Sequence, residues 1–188
     1  PFPVANQLSG TIVLATPLVF GALAGVLCEN AGVVNVSIEG EFLVAAFTAA
    51  TVGSITGSLV AALIAAMAAG VAMAALLALF SIKYLVDQVV LGVVLNLLAS
   101  GITGFLFDQL IQPNSATLNA APQLPRMAIP GLSAIPLLGP ALFNQSPLVY
   151  LAVLAVVVVA LLLYRTRWGL RVRSVGEHPE AADTVGIN

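Results

Sequence analysis

Charged residues are absent from long stretches of this sequence, and the gaps mark out its elements. None occurs from Pro1 to Cys28, from Phe42 to Ile82, from Gln88 to Phe107 or from Pro147 to Tyr164. About 20 apolar residues in a helix cross the roughly 30 Å hydrocarbon layer of a bilayer. Residues 8–28, 88–107 and 147–164 therefore each read as one crossing. Phe42–Ile82 is too long for one, since its 41 residues would make a helix of about 61 Å. The cluster Gly53-Ser54-Ile55-Thr56-Gly57-Ser58 breaks it into a tight hairpin, with spans over about 42–56 and 58–82. The runs are continuously apolar and lack the alternation of barrel strands. The pattern predicts an all-α, polytopic integral membrane protein with five transmembrane helices.

The first span is no signal peptide, because it lacks a charged leading region and carries Pro17 in its middle. Orientation follows from Lys and Arg, which favour the cytoplasmic side. Four of the six, Arg165, Arg167, Arg171 and Arg173, follow the last span directly. Residues 165–188 are thus expected inside and the loop 108–146 outside. The Lys83–Asp87 turn and Glu29–Glu41 fall inside, and the Gly53–Ser58 turn and the N-terminus outside. Arg126 is the exception. A re-entrant Glu29–Glu41 segment would change the count before it. Tyr150, Tyr164 and Trp168 stand where interfacial anchors are expected.

Composition narrows the class further. The 188 residues are 60% hydrophobic and 7% charged, against about 25% charged in an average soluble domain. A net charge of −2 leaves no basic footprint for nucleic acid. One cysteine, Cys28, and one histidine, His178, exclude a disulfide framework and a His cluster for a metal. There is no Ser/His/Asp set, no HExxH and no Walker A loop, so nothing points to an enzyme. Starting at Pro1 and stopping at Asn188 just after charged residues, the sequence reads as a piece of a longer chain.

Within the spans, polar and small residues are patterned. In residues 58–82, Ser58, Ala62, Ala66, Gly70, Ala74 and Ala78 recur every fourth place, the spacing that lets helices approach closely in lipid. Pro17, Gly21 and Gly25 do the same in the first span, while the Val- and Leu-rich last span reads as lipid-facing. In the fourth span Gln88, Gly92, Asn96, Ala99 and Thr103 fall within an arc of about 80°. Asn96 near mid-membrane needs either a hydrogen bond to a neighbouring helix or a wet translocation path. Residues 28–41 place three carboxylates within 13 residues. They read as a helix start capped by Asn35 or Ser37 with Glu39 and Glu41 near the helix dipole, or as a broken-helix element beside a transport path. Both can hold together. No span contains an ionisable residue, which argues against a proton-coupled carrier.

The 108–146 loop holds Pro113, Pro122, Pro125, Pro130, Pro136 and Pro140, and its apolar run Ile129–Phe143 reads either as packed on a membrane face or partner or as plain surface. In the tail, Pro179 followed by Glu180 predicts a short helix from about Pro179 to Val185, ended near Gly186. His178 reads as a solvated residue beside that helix.

Three blocks carry a family resemblance. Glu29-Asn30-Ala31-Gly32-Val33-Val34-Asn35-Val36-Ser37-Ile38-Glu39-Gly40 resembles the early signature of permeases of bacterial ABC importers of the branched-chain amino acid and ribose-type group, most like those for nucleosides and simple sugars. Residues 87–98 resemble that family's central helix and residues 168–188 its cytoplasmic loop, in the family's order. Asn30 departs from the pattern, which usually has a basic residue there, and the family continues with further spans.

The resemblance implies a bacterial plasma-membrane permease without a cofactor of its own. It would work with a cytoplasmic ATP-binding subunit that uses ATP and Mg, a second permease subunit (identical or related) and an extracytoplasmic solute-binding lipoprotein. It makes Gly176, Glu177, Pro179, Glu180, Ala182 and Gly186 the ATPase-coupling candidates. Asn35, Glu39, Gln88, Asn96 and Thr103 become candidates for lining the path. The competing classes are an ion- or proton-coupled transporter or channel subunit, and a structural membrane subunit.

Overall fold

The computed structural model describes residues 3–118, 120–131, 133 and 138–187. Its helices are α1 (Pro3–Asn30), α2 (Ile38–Thr56), α3 (Leu59–Ala78), α4 (Gln88–Leu106), α5 (Ser115–Leu118), α6 (Leu138–Leu142), α7 (Pro147–Arg165), α8 (Arg167–Glu177) and α9 (Pro179–Thr184). Single π-helical turns, Leu79–Lys83 and Phe107–Ile111, extend α3 and α4. Five helices are long and apolar enough to cross a membrane: Val4–Asn30, Ile38–Thr56, Leu59–Lys83, Gln88–Ile111 and Pro147–Arg165.

The helix ends correct several expected boundaries. α1 begins before residue 8, α2 begins at Ile38 rather than 42, and the fourth span runs through Asp108 to Ile111. Absence of charge marks the part that tolerates hydrocarbon. Helical hydrogen bonding continues past it, because backbone groups stay satisfied whatever the side chain.

The chain forms two compact units, residues 34–123 and residues 1–33 with 124–188. In the first, α2 and α3 make the expected hairpin. Gly57 stands at φ 64 and its N–H donates to the Gly53 carbonyl at 2.9 Å, the left-handed closure that glycine accepts without strain. Ser58 then accepts the Ala61 N–H. A Cβ on Gly53 would lie 3.2 Å from the Ala62 Cβ, so the helices meet closely near the turn. A Cβ on Gly70 would have nothing within 4 Å, so the small-residue stripe is not in close contact along its whole length. Asp87 caps α4 by accepting the Val90 N–H at 2.9 Å. Met73, Leu77, Leu91, Leu95 and Ala99 form the buried apolar cluster, with Val44 against it.

In the second unit α1 and α7 run in the same direction. Ser9, early in α1, meets Gln145 just before α7, and Asn30 at the other end meets α8 just after it. A two-residue antiparallel ladder, β1 (Met127–Ala128) with β2 (Asn144–Gln145), pairs Met127 with Gln145 within the 108–146 loop. The Tyr150 hydroxyl accepts the Gln145 N–H at 3.3 Å and donates to the Met127 carbonyl at 3.4 Å. Of the loop prolines, Pro136 lies outside the described residues, as do parts of the run 129–143.

Thr166 separates α7 from α8 and caps α8 by accepting the Gly169 N–H at 3.1 Å. A Cβ on Gly169 would meet the carbonyl oxygens of Leu162 and Leu163, so this elbow is backbone against backbone. α8 was not expected. Its signal was the recurrence of Trp168, Val172 and Val175 at helical spacing, hidden among four arginines. α9 matches the expected helix to within a residue. It ends with Gly186 at φ 78, whose N–H donates to Asp183 O at 2.9 Å while the Ile187 N–H donates to Ala182 O at 3.1 Å, a Schellman closure.

Candidate functional site

The polar stripe of α4 and the break between α1 and α2 meet in the 34–123 unit. Residues 34–36 have no helical bonding of their own, so their backbone groups must find partners elsewhere. α4 supplies them. Gln88 Oε1 accepts the Val34 N–H at 2.6 Å. Asn96 Nδ2 donates to the Val36 carbonyl at 3.0 Å, and Asn96 Oδ1 accepts the Gly40 N–H at 2.7 Å. Gln88 and Asn96 are eight residues apart, so the start of α2 sits about 12 Å along α4 from its first residue. α2 and α4 therefore run in the same direction, and α2 begins beside the interior of α4.

The small members of the stripe make this approach fit. A Cβ on Gly92 would lie 2.7 Å from Val36 Cβ and 3.2 Å from the Ser37 nitrogen. A Cβ on Gly40 would lie 2.8 Å from Asn96 Oδ1 and 3.0 Å from Ala99 Cβ. Gly92→Ala is therefore expected to overpack the contact and cost about 1–3 kcal/mol, read as a lower melting temperature of the purified permease. A wild-type melt would show that the segment does not lie on Gly92.

The expected caps are corrected here. Ser37 occupies the cap position of α2 but makes no side-chain cap bond. Asn35 Oδ1 instead accepts the Ser37 N–H at 2.9 Å, ahead of the helix. Asn35 Nδ2 donates to Glu41 Oε1 at 3.0 Å, and the fully buried Ser37 hydroxyl lies within reach of both Asn35 Oδ1 (2.7 Å) and Glu41 Oε1 (3.0 Å). The cap of α2 comes from Asn96, on another helix. Glu39 and Glu41 do stand in the first turn.

Of the five path candidates, Asn35, Gln88 and Asn96 thus hold the broken segment. Thr103 is buried and donates to the Ala99 carbonyl of its own helix at 2.7 Å. Glu39 is exposed and makes no side-chain hydrogen bond among the described residues. Gly40, Gly92, Ser37 and Glu41 were missed as members. The flanking glutamates at Gly40 were a usable signal, but the partner of Gly92 was not.

The second polar region lies where α1 ends. A Cβ on Gly176 would fall within the carbonyl oxygen of Asn30 and lie 3.0 Å from the Gly32 nitrogen. Gly32 takes φ 80 there. The Asn30 side chain folds back along α1 and donates to the Val26 carbonyl one turn earlier at 2.8 Å. A cavity of about 360 Å³ opens beside this contact, lined by Glu29, Asn30, Arg173 and Glu177 among others. The Arg173 guanidinium lies over the Tyr164 ring, 5.1 Å from its centroid. Among the coupling candidates, Glu177, Pro179 and Glu180 are exposed, whereas Ala182 is buried and Gly176 faces Asn30. Among the described residues, no three His, Cys, Asp or Glu side chains gather as a metal site.

Five apolar helices of spanning length, one of them starting beside the interior of a neighbour, give the architecture of a multi-pass membrane protein. The chain belongs to the family described as branched-chain amino acid transport system / permease component, whose model matches residues 7–188. It is a multi-pass protein of the bacterial plasma membrane.

It is 41% identical to the guanosine ABC transporter permease protein NupQ of Bacillus subtilis, over 95% of this chain and 58% of that one. It is 36% identical to the nucleoside ABC transporter permease protein NupC of Lactococcus lactis, over 98% of this chain and 59% of the relative. The putative glucose ABC transporter permease protein TsgC13 of Haloferax volcanii is 37% identical, over 97% and 55% respectively. The chain thus spans less than three fifths of the length of these relatives. No solved structure matches it.

Proposed function

We propose that this chain is part of the permease subunit of an ATP-driven ABC importer for nucleosides or related sugar-containing solutes. Its partners are a cytoplasmic ATP-binding subunit, a second permease subunit and an extracytoplasmic solute-binding lipoprotein. ATP and Mg are used by the first of these, and this chain holds no cofactor. The observation that carries the reading is the similarity along nearly the whole chain to two permeases named for nucleoside and guanosine transport. The broken helix at α2 is in keeping with it, since transporters place irregular backbone where it is buried in protein or lines a cavity.

Within this reading the exposed Glu177–Glu180 edge docks on the ATP-binding subunit. Glu39 is the path candidate left open to solvent, while Asn35, Gln88 and Asn96 shape the path by holding the start of α2 and Thr103 stays bonded within α4. Radiolabelled guanosine uptake by the full-length permease with its partners tests the assignment. It should stop when the ATP-binding subunit is inactivated and survive a protonophore. The reverse pattern would establish the ion-coupled alternative. Glu180→Lys is expected to lower uptake at least about tenfold without changing the melting temperature, because an exposed charge reversal acts on docking rather than packing. Unaltered uptake in that variant removes the docking role.

A further inference from the structure

The two glycines of α8 fix its direction. A Cβ on Gly169 would strike the Leu162 and Leu163 carbonyls at the end of α7, and one on Gly176 the Asn30 carbonyl at the end of α1. The glycines stand seven residues apart, about 10 Å along a helix, close to the roughly 8–10 Å between the axes of packed neighbours. α1 and α7 are such neighbours and run the same way. α8 therefore lies across the ends of both spans, along the bilayer surface.

The remaining faces of α8 are sorted by chemistry. Trp168, Val172 and Val175 share an arc of about 60° next to the glycine face, and Arg167 and Arg171 follow within about 40° of each other. Trp168 is half exposed. Arg165, Arg167 and Arg171 are exposed and make no hydrogen bond or ion pair among the described residues. Two cations one helical turn apart repel each other unless an anion joins them. Arg173 differs, being half-buried with its guanidinium over the Tyr164 ring. A cavity of about 340 Å³ opens on the apolar side, where Arg171 stands among Trp168, Val172, Val175, Ala31 and Ile187.

An occupant of this surface must present negative charge and apolar carbon together, at the level where the spans leave the hydrocarbon. A soluble anion leaves the apolar wall bare, and an acidic protein surface matches the arginines but not the cavity. A phospholipid carries both parts at that depth. We propose that α8 binds an anionic phospholipid of the leaflet in which α1 and α7 end. The phosphate lies between Arg167 and Arg171, whose guanidinium forks match its oxygens, and Arg165 adds to their field. The glycerol and upper acyl carbons fill the cavity against Trp168, Val172 and Val175. The indole N–H meets the ester carbonyls, the usual place of tryptophan at a membrane interface. The site is independent of which solute is carried.

Native mass spectrometry of the delipidated full-length permease, titrated with phosphatidylglycerol or with phosphatidylethanolamine, tests the site. Phosphatidylglycerol is expected to bind at least about tenfold more tightly. The double variant Arg167→Gln, Arg171→Gln should weaken it about 25-fold, roughly fivefold for each arginine near a membrane surface. Arg167→Lys with Arg171→Lys keeps the charge and should recover most of the affinity. Both arginines are exposed, so these variants should melt as the wild type does, and the two-lipid comparison stands on the unaltered protein in any case. Glycerol phosphate, the headgroup without chains, should not displace the lipid.

Equal binding of the two lipids, or unchanged phosphatidylglycerol affinity in the Gln variant, overturns the proposal. Displacement by glycerol phosphate overturns it in favour of a soluble-phosphate site. Loss of the ATP-binding subunit from the Gln variant, with lipid binding intact, gives the arginines to that subunit instead.

Discussion

Asn96→Leu is expected to destabilise the permease by about 2–4 kcal/mol, the cost of leaving two backbone groups without partners where water is scarce. The amide of Asn96 serves the Gly40 N–H and the Val36 carbonyl at once, and leucine serves neither. Denaturant or thermal unfolding of the purified full-length protein should show the loss directly. Transport should fall with it, because the start of α2 is no longer held. Asn96→Asp keeps an acceptor for Gly40 and should recover part of the stability. A residue that only lines a path behaves differently, lowering uptake in a protein of unchanged stability. If Asn96→Leu melts like wild type while uptake drops, the cap is not made and Asn96 returns to the path.

Gly176→Val is expected to be damaging as well. The added atoms fall on the Asn30 carbonyl and close to the Gly32 nitrogen, both backbone groups at the end of α1 that cannot rotate aside. Overpacking of this kind costs about 1–3 kcal/mol and occasionally more. α8 should be displaced from the end of α1, and limited proteolysis across residues 166–178 should accelerate. Gly176 is therefore a packing residue within the expected coupling segment, and its variants lose stability together with transport. Glu180→Lys supplies the contrast, with transport lost at full stability. Unchanged proteolysis and melting in Gly176→Val would mean that α8 does not rest on α1.

The two cases show where reading along the chain was sufficient. The α4 stripe was visible because Gln88, Asn96 and Thr103 interrupt an otherwise apolar helix at one angular position. The start and stop of α9 were visible in Pro179 and Gly186, whose backbone preferences act locally. α8 was overlooked because its arginines mask the spacing of Trp168, Val172 and Val175. Asn35 and Ser37 were expected as caps because local capping is the commonest use of such residues near a helix start. The actual cap, Asn96, lies 56 residues away from Gly40, and no local rule reaches that far.

Avoidance of charge over helix-length stretches is a property of order along the chain, since lipid tests every exposed side chain in a span. The number of apolar spans and the membrane class could therefore be read from the sequence, and so could the residues able to make polar contacts inside it. Which contact each one makes depends on three-dimensional approach. Gln88 and Asn96 could have lined water or joined any neighbour. The fold gave them the unpaired backbone of residues 34–40 because Gly92 and Gly40 let that segment lie against α4. The unpartnered oxygen of Gln145 has the same origin. It was left without a donor when α1, the loop and α7 closed around it.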